Sequence, residues 1–178
     1  MNEQVNLTAI TDPVEAWTRH GLDALSLVPL LADLPAGARV LDMGAGGGVP
    51  GIPLAIARPD LRFTLVDATA KKTAFLVAVA EALGLDNVTV INGRAEELAS
   101  GELERAFDAV TARAVAKISG LLAWTAPFAK SRGRLLFIKG QRADQELADA
   151  AKALRRFRCT HERTVETPTG RVVVLRAD

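Results

Sequence analysis

Apolar runs alternate with amphipathic segments along most of the chain, a pattern typical of strands that alternate with helices. The pattern predicts strands at 39–43, 63–66, 88–91, 107–111 and 133–139. It predicts helices at 51–57, 70–83, 93–98, 118–129 and 143–157. Such alternation forms a mostly parallel, doubly wound sheet of the α/β class. A last strand at 171–176 leaves room only for a hairpin before it, at about 159–166, so the far edge of the sheet is predicted to be antiparallel.

The segment 1–38 precedes the sheet and is predicted to be a helical leader packed on the main domain, residues 39–178. Trp17 and the leucines that follow it would provide the docking face. His20 and Asp23 lie one helical turn apart, and a polar pair at the edge of a docking helix explains them at least as well as a catalytic role does. This helix is predicted to start at Asp12, which would be the N-cap. Pro13 suits the first turn, and Glu15 would reach back as the acid of a capping box.

The most informative stretch is Arg39–Gly51, where an apolar strand runs into an aspartate, a glycine cluster and the start of a helix. Four of the five residues 44–48 are glycine, more than a tight turn requires. Glycines let a backbone approach a ligand closely, and a helix N-terminus offers unpaired N–H groups. The stretch therefore predicts a loop that binds a nucleotide-type cofactor.

The residue types around this loop discriminate between cofactors. A G-x-G-x-x-G match at 46–51 carries little weight among so many glycines. Asp42, two residues before Gly44, would oppose the pyrophosphate of NAD or FAD but suits the ammonium group of an amino acid. The Asp-x-Gly-x-Gly pattern of Asp42, Gly44 and Gly46 is similar to the first motif of methyltransferases that use S-adenosylmethionine (SAM).

Further candidates lie where later strands end, since residues beyond the carboxyl ends of parallel strands line the ligand crevice. Asp67 ends the second strand, about twenty residues beyond the glycines, where an acid accepts hydrogen bonds from ribose hydroxyls. It lies slightly too early to be the cap of the next helix, so we favour the ribose role. Arg113 and Lys139 follow the fourth and fifth strands and are candidates for the active site.

Composition narrows the class of protein. The chain of 178 residues is 49% apolar, which suits a single domain with a sizeable core. Its one cysteine, Cys159, excludes an intrachain disulfide and a two-cysteine methylation mechanism, and no cluster of metal ligands is visible, so we predict no metal. No secretion signal or membrane span is visible in the sequence. We expect a cytoplasmic monomer with no membrane attachment.

The formal net charge of +1 gives no overall attraction to nucleic acid. Any RNA site must therefore be a local basic surface. Lysines and arginines near the predicted crevice and in a dense basic run close to the C-terminus are its candidates, and they are Lys71, Lys72, Arg94, Lys139, Arg142, Arg155, Arg156 and Arg158.

Several motifs together resemble one family, the glucose-inhibited division protein B family of ribosomal small-subunit RNA methyltransferases G. Pro-Gly-Ile-Pro-Leu at 50–54 is far more specific than the glycine loop before it. The other matching segments extend over nearly the whole chain and are Asn6-Leu7-Thr8, Asp12-Pro13, Arg19-His20 with Asp23, Asp42-x-Gly44-x-Gly46, Asp67 with Lys71-Lys72, Arg94-Ala95-Glu96-Glu97, Arg113-Ala114 and Lys139-Gly140.

The resemblance implies a Rossmann-like class I SAM-dependent fold and methylation of guanine N7 in 16S rRNA of the small ribosomal subunit or its precursor. It implies SAM contacts from residues that match the family motifs, with Asp67 on the ribose, and these are Gly44, Val49, Ala95, Glu96 and Arg113. The family usually has helices before Asn-Leu-Thr, whereas five residues precede Asn6 here. We expect the chain to fold and bind SAM but to methylate RNA less efficiently than a longer relative.

The residues after the fourth strand agree with an N7 target. Enzymes that methylate exocyclic amines typically carry Asn/Asp-Pro-Pro-aromatic there, whereas this chain has Thr111-Ala112-Arg113-Ala114. Guanine N7 has an in-plane lone pair, so its methylation needs positioning and charge stabilisation without proton removal. Two alternatives stay open: a non-catalytic RNA-binding or assembly factor with a SAM fold, and an NAD-dependent oxidoreductase. Asp42 and the lack of an evident proton-donor pair argue against the oxidoreductase.

Overall fold

The computed structural model describes residues 21–178. Seven strands are present in this part of the chain: β1 (Arg39–Met43), β2 (Arg62–Asp67), β3 (Val88–Asn92), β4 (Phe107–Arg113), β5 (Ala129–Lys139), β6 (Cys159–Thr167) and β7 (Gly170–Ala177). The helices between and before them are α1 (Leu22–Leu25), α2 (Gly51–Ala57), α3 (Ala70–Ala82), α4 (Ala95–Leu98), α5 (Ile118–Thr125), α6 (Ala143–Asp149) and α7 (Ala151–Arg156). The predictions made for Asp12, Trp17 and His20 lie outside the described residues.

The strands form one sheet in the order β3-β2-β1-β4-β5-β7-β6. Strands β1 to β5 are mutually parallel, and β7 pairs antiparallel with both β5 and β6. The order reverses between β1 and β4, so the crevice for a ligand is expected at the carboxyl ends of these two strands. The predicted doubly wound α/β sheet with an antiparallel far edge is confirmed.

Helices cover both faces of the sheet because alternate residues of its central strands are apolar on both sides. Val40 and Phe63 belong to a core cluster on one face, beneath α2. Leu41 and Val110 belong to a cluster on the other face, which includes Leu122 of α5. All five side chains are at most 1% exposed. Burial on both sides is why these strands appear in the sequence as continuous apolar runs.

Two predicted helices are shorter than expected. The helix at 118–129 ends at Thr125, a 3-10 turn covers Ala126–Phe128, and β5 begins at Ala129. Pro127 in that turn has no N–H to continue an α-helix. The helix at 143–157 is two helices, because the backbone of Ala150 departs from helical geometry with φ −83° and ψ 1° while its methyl group is buried.

The described part of the leader shares the core of the sheet. Leu27 and Leu31 are fully buried in the cluster that includes β1. Arg134 of β5 donates to the carbonyl oxygen of Leu30 across 2.7 Å and forms an ion pair with Asp33. The boundary between leader and main domain at residue 38 stays a prediction. Among the described residues no helix is long and apolar enough to cross a membrane.

Candidate functional site

The loop after β1 turns back on itself at three glycines. Gly44, Gly46 and Gly48 have φ values of 72°, 54° and 90°, in the left-handed region that favours glycine. A Cβ atom on Gly44 would lie 2.8 Å from Cγ2 of Val115. The Gly44 N–H donates to the carbonyl oxygen of Val66 across 2.8 Å, which ties the loop to the end of β2. The positive φ values therefore favour glycine at all three positions. At Gly44, the close approach of Val115, which follows β4, also leaves no space for a side chain.

Asp42 lies beneath this loop and is 1% exposed. Its Oδ2 accepts the N–H of Gly51 at 3.0 Å, and its Oδ1 accepts the hydroxyl of Thr111 at 2.8 Å. Burial raises the pKa of this carboxyl to about 6. A Cβ atom on Gly51 would lie 2.8 Å from Oδ2 of Asp42 and 2.2 Å from Cδ2 of Leu65. Asp42 thus links the start of α2 to β1 and β4 by hydrogen bonds, beneath the glycine loop.

Asp67 ends β2 and faces the same loop. Its Oδ2 accepts the N–H of Gly46 at 3.0 Å, and its Oδ1 accepts the N–H of Thr69, the N-cap residue of α3, at 2.8 Å. The carboxylate therefore supports the start of the helix as well as the loop, so the two interpretations weighed from sequence are compatible. An ionised carboxylate accepts about four hydrogen bonds, which leaves capacity for ligand hydroxyls.

A cavity of about 220 Å³ opens beside Asp67. We call it the loop cavity, and its lining includes Gly44, Asp67, Ala95, Glu96, Val115 and Trp124. The indole N–H of Trp124 donates to Oε1 of Glu96 across 2.7 Å, so α5 positions that glutamate at the rim. Four predicted cofactor residues, Gly44, Asp67, Ala95 and Glu96, are thereby brought together. Asp42, Gly46 and Val49 are outside the lining, and the roles predicted for them stay predictions.

A second, more polar cavity of about 540 Å³ lies at the carboxyl ends of β4 and β5. We call it the strand-end cavity, and its lining includes Asp23, Arg113, Lys139, Gly140, Glu146 and Thr169. One segment of the chain borders both cavities and marks their junction, because Arg113 and Ala114 line this one and Val115 lines the loop cavity. Arg113 was predicted to contact the cofactor, and the structure places it at this junction.

Arg113 is held between segments that are far apart in the chain. Its Nη2 lies 3.9 Å from Oδ2 of Asp23, and burial lowers the pKa of the guanidinium. The hydroxyl of Thr169, at the tip of the β6–β7 hairpin, donates to Oδ1 of the same aspartate. From the sequence, Asp23 was noted as a partner for His20 and as part of a family motif, without a role at the site. Thr169 carried no recognisable sequence signal.

Lys139, predicted to be a catalytic or RNA-binding residue, makes its contacts within the protein. Its Nζ lies 2.7 Å from Oε2 of Glu146 and donates to the carbonyl oxygen of Ala116 across 2.8 Å. The lysine side chain is only 8% exposed. Glu146 also accepts the N–H of Ile118 at 3.2 Å. The pair fixes the segment between β4 and α5, and the catalytic and RNA-binding roles of Lys139 stay predictions.

The remaining basic candidates divide between the two ends of the sheet. Residues that follow strand ends lie at the crevice end, and they are Lys71, Lys72, Arg94 and Arg142. Arg155, Arg156 and Arg158 lie at the opposite end, because Arg158 directly precedes Cys159, which pairs with Ala177 at the end of the antiparallel β7. A seven-residue strand such as β4 separates the two ends by about 20 Å. The C-terminal basic run therefore does not border the crevice. Sequence reasoning missed Lys117, an exposed residue that precedes α5 at the crevice end.

Comparisons with known proteins agree with this architecture. The family described as rRNA small subunit methyltransferase G matches residues 1–172. A protein of Sorangium cellulosum named ribosomal RNA small subunit methyltransferase G is 59% identical over 176 residues, covering 99% of this chain and 74% of the relative. A protein of the same name from Lactobacillus delbrueckii subsp. bulgaricus is 44% identical over 159 residues, covering 88% of this chain and 66% of the relative.

The fold is similar to that of solved structures as well. A SAM-dependent methyltransferase from Aquifex aeolicus superimposes with a TM-score of 0.72 and 17% sequence identity, covering 100% of this chain and 99% of that one. At this identity the similarity concerns the fold alone, and it confirms the predicted Rossmann-like class I fold.

Proposed function

The chain belongs to the rRNA small subunit methyltransferase G family, and on that premise we propose that it transfers the methyl group of SAM to N7 of a guanosine in 16S rRNA. The membership predicted from the sequence motifs is thereby confirmed. The substrate of the proposal is the RNA of the small ribosomal subunit or its precursor, which implies a cytoplasmic location, and we retain the expectation of a monomer. The observation that carries the proposal is the carboxylate of Asp67, held by the glycine loop and facing the loop cavity.

The loop's own hydrogen bonds favour SAM over a dinucleotide. A pyrophosphate binds to unpaired N–H groups at the start of the helix after a glycine loop. Here the N–H groups of Gly46 and Gly51 donate to carboxylates, each across 3.0 Å. Those of Gly48 and Ile52 donate to carbonyl oxygens of the loop, each across 2.7 Å. Because these donors are engaged and two buried carboxylates adjoin them, the loop suits a ligand with hydroxyls and a positive charge instead of phosphates.

The lining of the loop cavity matches the adenosine part of SAM. Asp67 retains acceptor capacity for ribose hydroxyls, and Ala95 offers a small side chain and a backbone near an adenine. Glu96, oriented by Trp124, adds a second acceptor at the rim. When bound, SAM supplies an electrophilic methyl group on a sulfonium centre. The chain's own contribution is to hold that group and the acceptor base in line and to keep water out.

The junction of the two cavities is the proposed place of methyl transfer. Arg113 lies there as a largely buried cation, compensated by Asp23 and, at longer range, by Asp42. It is suited to orient an acceptor base and to offset the charge that shifts during transfer. Because guanine N7 carries no proton, the proposal assigns no general base to the site. In the strand-end cavity, Arg113 lies near Asp23, and Lys139 is paired with Glu146.

The proposal is tested by transfer of tritium from methyl-labelled SAM to small-subunit particles that lack the modification. Label recovered in 16S rRNA supports it, and a reaction without enzyme gives the background. Binding of SAM without transfer to any RNA would contradict the proposal and favour a non-catalytic assembly factor. Parallel calorimetric titrations with SAM and NAD distinguish a methyltransferase or a SAM-binding assembly factor from an oxidoreductase, because an oxidoreductase would bind NAD.

A further inference from the structure

The strand-end cavity places an acceptor and a donor side by side on one wall. The carboxylate of Asp23 accepts from Thr169 through Oδ1, while Oδ2 lies 3.9 Å from Nη2 of Arg113, beyond hydrogen-bond distance. Both side chains are largely buried, at 8% and 17% exposed. The volume of about 540 Å³ falls within the range of about 300–1,000 Å³ typical of small-molecule sites. A carboxylate beside a guanidinium in such a cavity is suited to a ligand with paired donors next to an acceptor.

We propose that the strand-end cavity receives the target guanine and that Asp23 reads its Watson–Crick edge. This inference rests on the proposed function and assigns a specificity residue to it. The guanine edge presents N1–H and N2–H donors beside the O6 acceptor, which matches a carboxylate next to a guanidinium. Adenine presents an acceptor at N1 and a donor at N6, so the same wall rejects it. Enzymes that modify a base commonly read the extruded base by hydrogen bonds to this edge.

The position of the cavity fits attack by N7. N1 and N2 lie on the side of the guanine ring away from N7, so a base held through these donors leaves N7 free. The strand-end cavity adjoins the loop cavity through residues 113–115. A guanine anchored on Asp23 can therefore present N7 toward the neighbouring cavity. Thr169, at the tip of the β6–β7 hairpin and 146 residues from Asp23 in the chain, donates to this carboxylate and holds it in place.

The decisive experiment compares guanosine with inosine, which lacks only the N2 amine. The methylated position is first mapped, and small-subunit particles are then assembled with 16S rRNA carrying a single inosine there. Wild type is expected to show a kcat/KM roughly tenfold to a hundredfold lower on inosine, as for loss of a hydrogen bond to a charged group. Asp23→Ala should be slow on both substrates and discriminate between them by less than about threefold. Thr169→Ser, which keeps the hydroxyl that donates to Asp23, is the matched control and should retain the preference for guanosine.

Discrimination that survives in Asp23→Ala would overturn the inference, whatever the absolute rate of the variant. Binding of GMP and IMP, followed by chemical shifts of the protein, provides a readout that does not depend on transfer. A preference for GMP in wild type that disappears in Asp23→Ala supports the guanine site even if no methyl group is transferred, in which case only the proposed function fails. Equal shifts with GMP and IMP in wild type, together with equal rates on the two RNAs, would refute the site.

Discussion

The backbone N–H of Gly46 donates to Oδ2 of Asp67 across 3.0 Å, over a separation of 21 residues. The bond joins the loop after β1 to the end of β2, at the place where the sheet order leaves a crevice. One carboxylate therefore shapes the loop and also lines the cavity proposed for SAM. Changes at either residue are expected to affect loop order and cofactor affinity together.

Replacing Asp67 with alanine removes the acceptor proposed for the ribose hydroxyls. Hydrogen bonds to charged groups are worth about 1.5–3 kcal/mol, so the dissociation constant for SAM should rise roughly tenfold to a hundredfold. Calorimetric titration measures this dissociation constant. The control is Asp86→Ala, since Asp86 is an exposed acid outside the lining of either cavity. An unchanged dissociation constant in a folded Asp67→Ala variant would remove this residue from the cofactor site.

Gly51 has no space for a side chain, and its replacement by alanine should destabilise the protein. The new Cβ would press on Leu65 and on the carboxylate of Asp42, and overpacking of this kind costs about 1–3 kcal/mol. Gly120→Ala is the matched control. It lies within helix α5 and its Cβ would meet only Ala116 at 3.6 Å, so a gain of roughly 0.5–1 kcal/mol is expected. The free energy of unfolding of each variant is measured with urea and compared with that of wild type. A Gly51→Ala protein as stable as wild type would contradict the close packing around Gly51.

The buried carboxyl of Asp42 should make stability depend on pH. Its pKa is raised to about 6 in the folded protein from 3.8, so the folded state binds more protons than the unfolded state between these values. The free energy of unfolding should therefore fall as pH rises from about 4 to 6 and stay level above. Asp42→Asn removes this dependence, and Thr111 can accept from the new amide while donating to the carbonyl oxygen of Leu41, 3.3 Å away.

The measurement is the difference in unfolding free energy between Asp42→Asn and wild type, at pH 4.5 and pH 7. This difference should shift in favour of the variant at pH 7 by on the order of 1–3 kcal/mol. A difference that is constant with pH would show that Asp42 titrates near its ordinary value.

The division of basic residues between the ends of the sheet predicts where RNA binds. Each phosphate-contacting residue contributes about one to the salt slope of RNA affinity. Replacing Lys71, Arg94 and Lys117 at the crevice end with alanine should therefore lower the slope by up to about three. The triple change of Arg155, Arg156 and Arg158 removes equal charge at the opposite end and should leave the slope unchanged. Equal losses in the two triple variants would contradict a binding surface confined to the crevice end.

Local patterns were sufficient to predict much of the fold. The bounds of β1 and α2 were predicted to the residue, because the buried strand, the glycines and the proline-started helix are adjacent in the sequence. The predicted end of α5 was wrong by four residues, since Ala126–Phe128 forms a 3-10 turn that leads directly into β5. The break at Ala150 was missed because it depends on packing of that methyl group, which the helical periodicity around it does not reveal.

The candidate site was predicted where its residues follow strand ends and missed where distant segments meet. Asp67 and Arg113 lie where the crevice rule placed them. The contact of Asp23 with Thr169 joins the leader to the last hairpin, and no local pattern encodes such a pairing. Lys139 was assigned from its position at a strand end and from the Lys139-Gly140 family motif, whereas its ion pair with Glu146 of α6 depends on packing that no local pattern encodes.

This chain is proposed to methylate N7 of a guanosine in 16S rRNA, and the identity of the methylated nucleoside provides a direct test. Small-subunit particles that lack the modification are incubated with enzyme and labelled SAM, and the 16S rRNA is digested to nucleosides. We expect the label to migrate as 7-methylguanosine, at no more than one methyl group per particle. The same digestion after reaction with Asp67→Ala at limiting SAM should yield far less of it. Label in any other nucleoside, or in protein and not in RNA, would contradict methylation of guanine N7.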